Sequence, residues 1–231
     1  MAEFWHHLKS FLALLKKLII SHRAELLLLL AGVFLPLWFF GELAEDIWEN
    51  EGGFPWDVPM LLAIHSTASP TLDTVASVVT RFGVYWGVLP AAIVIGLWLL
   101  YRRHWRSLTY FLITLLGSVI INRTAKVLLH RVRPHLWVSP APEFDYGFPS
   151  GHAMSSMTFV AALVILTWGS RWHWLVVLLG GLFVLIIGWT RLYLGVHYPS
   201  DIFAGWMASI AWAIGVGFII RPKVFRGKQE S

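Results

Sequence analysis

Residues Arg191 to Asp201 read Arg-Leu-Tyr-Leu-Gly-Val-His-Tyr-Pro-Ser-Asp and lie between two long apolar runs. Ionisable residues are costly in such surroundings and default to function. The stretch offers a cation at Arg191, an imidazole at His197 and a carboxylate at Asp201. A carboxylate close to a histidine fixes its tautomer and stabilises its charged form, which leaves the other ring nitrogen usable as a base or nucleophile. Two more stretches collect polar residues. Lys126 to Pro134 reads Lys-Val-Leu-Leu-His-Arg-Val-Arg-Pro, and Lys126 and Arg133, seven apart, would face the same way on a helix. Pro149-Ser150-Gly151-His152 stands directly before a helical run. A Ser-Gly pair at a helix start exposes free amide hydrogens at the positive end of the dipole, which is an anion site. Three cations, an amide nest and two histidines suit a group with several negative oxygens, which means phosphate. Singly, each stretch has a plainer reading: snorkelling cations for Lys126 and Arg133, an ordinary N-cap for Ser150, helix-end charges for Arg191 and Asp201. Their joint occurrence favours chemistry.

The elements that must position these residues are membrane helices. Of 231 residues, 57% are hydrophobic and 13% charged, where a soluble domain carries about 25% charged residues. That composition predicts an integral membrane protein, and the length suits about six spans with short loops. The net charge of +5 does not point to nucleic acid, because the basic residues fall in short clusters at the ends of apolar runs. The absence of Cys excludes disulfides, thiolate catalysis and cysteine metal sites. No small-residue cleavage site follows a compact apolar core near the N-terminus, so no removable signal peptide is expected.

The pattern predicts an all-α fold of one domain over 1–231, with an interfacial helix in 1–23, a membrane bundle over 24–221 and a cytoplasmic tail over 222–231. Within 4–20, His6, His7, Lys9, Ser10, Lys16 and Lys17 share one helical face and Phe4, Leu8, Phe11, Leu12, Leu15, Leu18 and Ile19 the other. That amphipathic pattern suits a helix lying in the interface. The spans are expected at Leu26–Phe40, Val84–Tyr101, from Leu108 outward, Ala153–Trp168, Leu175–Thr190 and Ile202–Ile220. The third is expected to stop at Arg133-Pro134, since proline disfavours helix in the residue before it. An acidic stretch follows the first span, short surface helices fill 58–80, and a proline-containing loop covers 135–149. Lys9, Lys16, Lys17, Arg23, Arg102, Arg103, Arg106, Arg171, Arg221, Lys223, Arg226 and Lys228 fall on one side if six spans alternate, which makes that side, with both termini, cytoplasmic. Arg81, Arg123, Lys126, Arg131, Arg133 and Arg191 are then basic residues on the outer side, which calls for a reason other than topology.

The three stretches resemble the three-part signature of the type 2 phosphatidic acid phosphatase superfamily, the lipid phosphate phosphatases. Lys126, Arg133 and Pro134 match its first part, Pro149, Ser150, Gly151 and His152 its second, and Arg191, His197 and Asp201 its third. Thr190 stands where the family usually has Ser, and keeps a hydroxyl. The resemblance implies that His197 attacks phosphorus and that Asp201 orients it. It implies that His152 protonates the leaving oxygen and later activates water. It gives Lys126, Arg133, Ser150, Gly151 and Arg191 the phosphoryl oxygens. It also implies work without a metal or other cofactor. The substrate implied is a membrane lipid phosphate met at the outer face of the bilayer: undecaprenyl diphosphate, phosphatidate or phosphatidylglycerophosphate. A sugar-phosphate phosphatase and a non-catalytic lipid-phosphate binding or transport protein remain as alternatives, and the oligomeric state stays open.

Overall fold

The computed structural model describes residues 4, 5, 7, 21–49 and 53–222, and among these every regular element is helical. α1 is Arg23–Glu49, with a π-helical turn at Leu30–Phe34. α2 (Asp57–His65) and α3 (Pro70–Val79) are short. A 3-10 turn at Thr80–Gly83 leads from α3 towards α4 (Val88–Tyr101). α5 (Trp105–Leu129), α6 (Gly151–Leu166), α7 (His173–Tyr193) and α8 (Pro199–Ile220) follow. The proposed interfacial helix over 1–23 and the tail beyond residue 222 lie outside the described residues, apart from Phe4, Trp5, His7 and 21–23, of which Arg23 opens α1.

Among the described residues five helices are long and apolar enough to cross a membrane: α1, Pro70–Tyr101, α5, α7 and α8; α6, with 16 residues, is shorter. Their outer faces carry bands of exposed apolar side chains, such as Leu89, Ile93 and Leu97 on α4 and Leu178, Leu182 and Leu185 on α7. Patches of this kind on a soluble monomer would be an aggregation liability, whereas lipid solvates them. α6 differs in that protein covers much of it: Ala153, Met154, Ser156, Thr158, Phe159, Val160, Ala162 and Leu166 are buried. It packs against α5, α7 and α8, and the main core, with Tyr110, Phe111, Phe159, Val184 and Val216, forms around it.

Hydrophobic burial cannot bind helices together in lipid as it does in water, so close packing and interhelical hydrogen bonds take over. Ser118 and Thr158 share a hydrogen bond of 2.8 Å between α5 and α6, the Ser209 hydroxyl donates to the Met154 carbonyl at 3.2 Å, and the Tyr110 hydroxyl donates to the Ala213 carbonyl at 3.2 Å. Where α5 meets α8, the Trp212 indole lies on Gly117 and donates to the Thr114 carbonyl at 3.0 Å.

Three expected boundaries are corrected. α1 does not stop near Phe40 but runs through the acidic stretch to Glu49. The stretch is amphipathic: Leu43 and Ile47 are buried with Phe148 and Ala204, while Glu42 and Glu45 are exposed. α4 begins at Val88 rather than Val84. α5 ends at Leu129, because His130 takes a left-handed conformation (φ 45°) whose amide donates back to the Lys126 carbonyl at 3.2 Å. Lys126 and Arg133 are therefore not on one helix.

A Cβ at Gly117 would stand 2.3 Å from the Trp212 ring, whereas one at Gly41 meets nothing within 4 Å. Gly117→Ala should cost about 1–3 kcal/mol as an overpacking substitution. It should lower the melting temperature in detergent, and Gly41→Ala should not.

Candidate active site

Four segments converge at one end of the bundle: the end of α5, the loop over 130–150 with the start of α6, the end of α7, and the turn into α8. The turn is made possible by Gly195 (φ +68°), whose side without a Cβ is covered by Trp137. Pro199 starts α8 at a position where its missing N–H is no loss. Asp201 follows in the first turn, where its Oδ2 accepts the Tyr198 N–H at 2.9 Å. One helical turn of spacing brings the same oxygen to 3.2 Å from His197 Nδ1.

The other ring nitrogen settles the tautomer. His197 Nε2 is 2.9 Å from Arg133 Nη1. A guanidinium only donates, so Nε2 presents its lone pair and Nδ1 carries the proton, which it donates to Asp201. Burial, and then the charges of Arg133 and Arg191, push the His197 pKa well below the ordinary imidazole value. The ring is thus neutral at pH 7, with its lone pair at Nε2 accepting from Arg133.

The predicted cations gather here despite their origins on different segments. Lys126, Arg133 and Arg191 are all buried. Each is met by a carboxylate from the 130–150 loop. Glu143 pairs with Arg191 and, at 2.7 Å, with Arg133. Asp145 pairs with Arg133 and, at 2.7 Å, with Lys126. The loop is pinned at Gly147, whose N–H donates to the Arg131 carbonyl at 2.8 Å. Arg133 Nη1 also donates to the Val196 carbonyl at 2.6 Å, and Arg191 Nη1 donates to Thr80 Oγ1 at 2.7 Å. The buried Nε–H of Arg191 has no acceptor among the described residues.

The two predicted histidines lie on either side of the Glu143 carboxylate. His152 Nδ1 is 3.7 Å from Oε1 and His197 Nε2 is 3.8 Å from Oε2. Ser150 is fully buried and caps α6, accepting the Ala153 N–H at 3.5 Å, while its own N–H donates to the Asp201 carbonyl at 3.1 Å. Gly151 is the first residue of α6. Asn122 Nδ2 donates to the Pro149 carbonyl at 2.9 Å, so α5 also holds this segment. Thr190 turns its hydroxyl to the Ile187 carbonyl at 2.7 Å, along its own helix and not into the cluster.

Four residues of the cluster had no place in the sequence reading of the site: Glu143, Asp145, Arg131, which pairs with Asp201, and Asp57, which pairs with Arg131. Glu143 and Asp145 sit two apart between two cation-bearing motifs, which is a signal that could have been used. Arg131 was visible only as a basic residue on the unexpected side. A cavity of about 470 Å³ is lined by Thr80, Arg81, Tyr85, Trp86, Glu143, His152 and Arg191, so the His152 end of the cluster opens to the surface. An apolar cleft of about 510 Å³ lies between α4 and α5, with Val84, Ser155 and Thr158 in its wall.

The fold and this cluster define a multi-pass helical membrane protein with buried cations, carboxylates and imidazoles gathered at one end of the bundle. The PAP2 superfamily model matches residues 107–224, and the chain belongs to that superfamily. It is 25% identical over 163 residues to an undecaprenyl-diphosphatase of Sulfolobus acidocaldarius, covering 68% of this chain and 75% of the relative. It is 28% identical over 167 residues to phosphatidylglycerophosphatase B of Bacillus subtilis, covering 69% and 81%. Its fold matches the crystal structure of a transmembrane PAP2-type phosphatidylglycerolphosphate phosphatase from Bacillus subtilis, with a TM-score of 0.71 and 28% identity, over 84% of this chain and 98% of that one.

Burial alone would raise the Glu143 pKa, but Arg191, His197, Arg133 and His152 outweigh it and hold the group down at about 2. A carboxyl depressed below its unfolded value contributes stability above the usual carboxylate range, and loses it as pH falls towards the folded value. Glu143 therefore stays charged from pH 9 down past pH 5, and occupies donors of Arg133 and Arg191 throughout. Glu143→Gln should tighten binding of inorganic phosphate by about tenfold, or about 1.4 kcal/mol, to a similar degree at pH 5.5 and 8. Isothermal titration of the purified protein reads this, and an unchanged affinity would show that the carboxylate does not compete.

Proposed function

We propose that this protein is a metal-independent membrane lipid phosphatase that removes phosphate from a lipid mono- or diphosphate through a phosphohistidine intermediate. The observation that carries this reading is the state of His197. Its Nε2 is unprotonated and accepts from Arg133, its Nδ1–H is fixed on Asp201, and His152 lies across a carboxylate that bridges Arg133 and Arg191.

A phosphoryl group displacing Glu143 finds Lys126, Arg133 and Arg191 as donors, with the unpartnered Nε–H of Arg191 among them. Ser150 and the Gly151 amide, at the N-terminus of α6, add donors for the developing charge. His197 Nε2 attacks phosphorus once Arg133 Nη1 turns from the nitrogen to a phosphoryl oxygen. The bond from phosphorus to the leaving oxygen breaks, and His152 gives that oxygen a proton. His152 then takes a proton from water, the water oxygen attacks phosphorus, and the electron pair of the N–P bond returns to His197. Asp201 holds the ring and balances its charge in the intermediate.

Six crossings follow if α6 counts as a span beside the five longer ones. At a rise of 1.5 Å per residue it is about 24 Å long, short of a bilayer core of about 30 Å. Its His152 end then begins below the outer surface, at head-group depth, with both termini cytoplasmic and the site facing outwards. A lipid phosphate reaches that depth without leaving the bilayer. The apolar cleft between α4 and α5, with Ser155 three residues beyond His152 in its wall, supports a substrate with a hydrocarbon tail over a sugar phosphate. The relatives named above support undecaprenyl diphosphate and phosphatidylglycerophosphate as headgroups, with phosphatidate beside them.

Phosphate release from a panel of lipid mono- and diphosphates tests the reading, with His197→Ala as the blank. The variant should lose at least about a thousandfold, on the scale of a removed covalent nucleophile. Vanadate should inhibit and EDTA should not, and phosphate label should be trapped on His197. A variant retaining activity within tenfold would remove His197 from this role, and a binding protein would trap no label. The chemical step needs His197 neutral and His152 protonated once the phosphate dianion is bound, so kcat should be bell-shaped in pH. A flat profile from pH 5 to 9 would count against the pair.

A further inference from the structure

Behind the His197–Asp201 pair lies a second charged pair that the reaction scheme above does not use. Arg131 is 5% exposed and Asp57 1%. Arg131 Nη1 donates to Asp201 Oδ1 at 2.5 Å and to Ser200 Oγ at 2.7 Å, and Nη2 donates to Asp57 Oδ2 at 2.7 Å. Asp57 in turn accepts the Ser200 N–H at 3.0 Å, the Ser200 hydroxyl at 2.6 Å and the Phe54 N–H at 3.2 Å. The Arg131 guanidinium also lies over the Tyr198 ring, 4.4 Å from its centroid. Every member of the set is thereby held from at least two directions.

We propose that Arg131, anchored by Asp57, is a positioning residue for the His197–Asp201 pair, and this rests on the nucleophilic role proposed for His197. Arg131 occupies Asp201 Oδ1, which leaves Oδ2 to the imidazole and to the Tyr198 N–H. A buried carboxylate without a cation would turn or take a proton, and either change would free the ring. Burial opposes the charge of Arg131, but Asp201 and Asp57 on its two sides more than restore it. Asp57 has a second effect. It offsets the guanidinium, so that Asp201 still presents negative charge to His197. The short α2 helix between α1 and α3 is thus part of the site, through a residue 74 positions before Arg131.

The charges that act on His197 come from every side: Asp201 below the ring, Arg133 and Glu143 from the loop, Arg191 from α7, Lys126 from α5 and His152 from α6 across Glu143. Changing Arg131 or Asp57 removes none of these groups, and as long as Asp201 keeps its charge the sign of the response is informative. Removing a positive charge eases protonation of His197, and removing a negative charge hinders it.

The experiment measures kcat and KM against pH for one lipid phosphate, with purified wild type, Arg131→Gln, Arg131→Lys, Asp57→Asn and the Asp57→Asn/Arg131→Gln double variant. Arg131→Gln should move the acid limb of kcat/KM up by about one pH unit, and Asp57→Asn should move it down. The double variant should return it towards wild type. Arg131→Lys should keep the limb while kcat falls about ten- to a hundredfold, by analogy with other supporting partners of an active histidine. KM should stay within threefold throughout, because the phosphate-binding cations are untouched. Substrate ionisation is common to all variants and cancels. Folding is checked by thermal melting, and if Arg131→Gln does not fold, Asp57→Asn against the double variant still gives the sign. Limbs that stay at the wild-type pH, or that move the same way in Asp57→Asn and Arg131→Gln, would overturn the inference while wild-type activity upholds the functional reading. No phosphate release by the wild type would overturn both.

Discussion

Charge compensation inside an apolar helix bundle is the constraint on which this site depends. Lys126, Arg131, Arg133 and Arg191 are buried at one end of the bundle. An unpaired cation at such a place costs several kcal/mol even after relaxation. The protein answers with four carboxylates, Asp57, Glu143, Asp145 and Asp201, and divides them into two sets. The inner set, Asp57, Arg131 and Asp201, is closed on itself and almost without exposure. The outer set, Glu143 and Asp145 on Lys126, Arg133 and Arg191, is carried on a loop and reaches the surface, since Glu143 lines the outward cavity. An inner set of that kind gives fixed geometry. An outer set of this kind can be exchanged for another anion.

Much of this was legible in the sequence because the informative residues are tied to local geometry. His197 and Asp201 are four residues apart across the start of α8, and Ser150 stands at the N-cap of α6, so closeness in the chain sufficed to pair the first two and to put the serine at a helix start. What escaped was contact between distant segments. Arg131 lies within the first motif but meets its partners Asp57 and Asp201 from 74 and 70 positions away. Periodicity carries no information about such pairs. The placement of Arg133 escaped for a different reason. Seven residues from Lys126 implied a shared helix face, but the left-handed turn at His130 ends α5 first. Arg133 reaches the same carboxylate, Asp145, from the loop instead. The convergence was right and the route was not.

The first helix shows the same limit in its boundary. A run of Glu and Asp after Phe40 reads as a polar exit from the bilayer. Its alternating partners, Leu43 and Ile47, are buried beneath Phe148, next to the Pro149 that opens the second motif. The continuation of α1 thus has a packing role: it covers the segment that carries Ser150 and His152. Net polarity described the outer face correctly and missed the inner stripe, which a helical reading of the same residues would have found.

The exchange at the outer set has an electrostatic direction. Lys126, Arg133 and Arg191 face two carboxylates, Glu143 and Asp145, which leaves one positive charge in excess. Replacing the Glu143 monoanion by a phosphate monoester dianion brings the set to neutrality, whereas replacing it by another monoanion leaves the excess as it was. The gain is larger at low effective dielectric than in water, so it is greatest for a phosphate that fully enters the pocket. A group that remains at the surface, such as the inner phosphate of a diphosphate near the exposed Arg81 of the outward cavity, gains far less. On the proposed mechanism that difference seats the terminal phosphate against His197 and leaves the remainder of the headgroup outside. Glu143 thus holds Arg133 and Arg191 in place and, on the proposed mechanism, sets the charge an incoming group must carry to displace it.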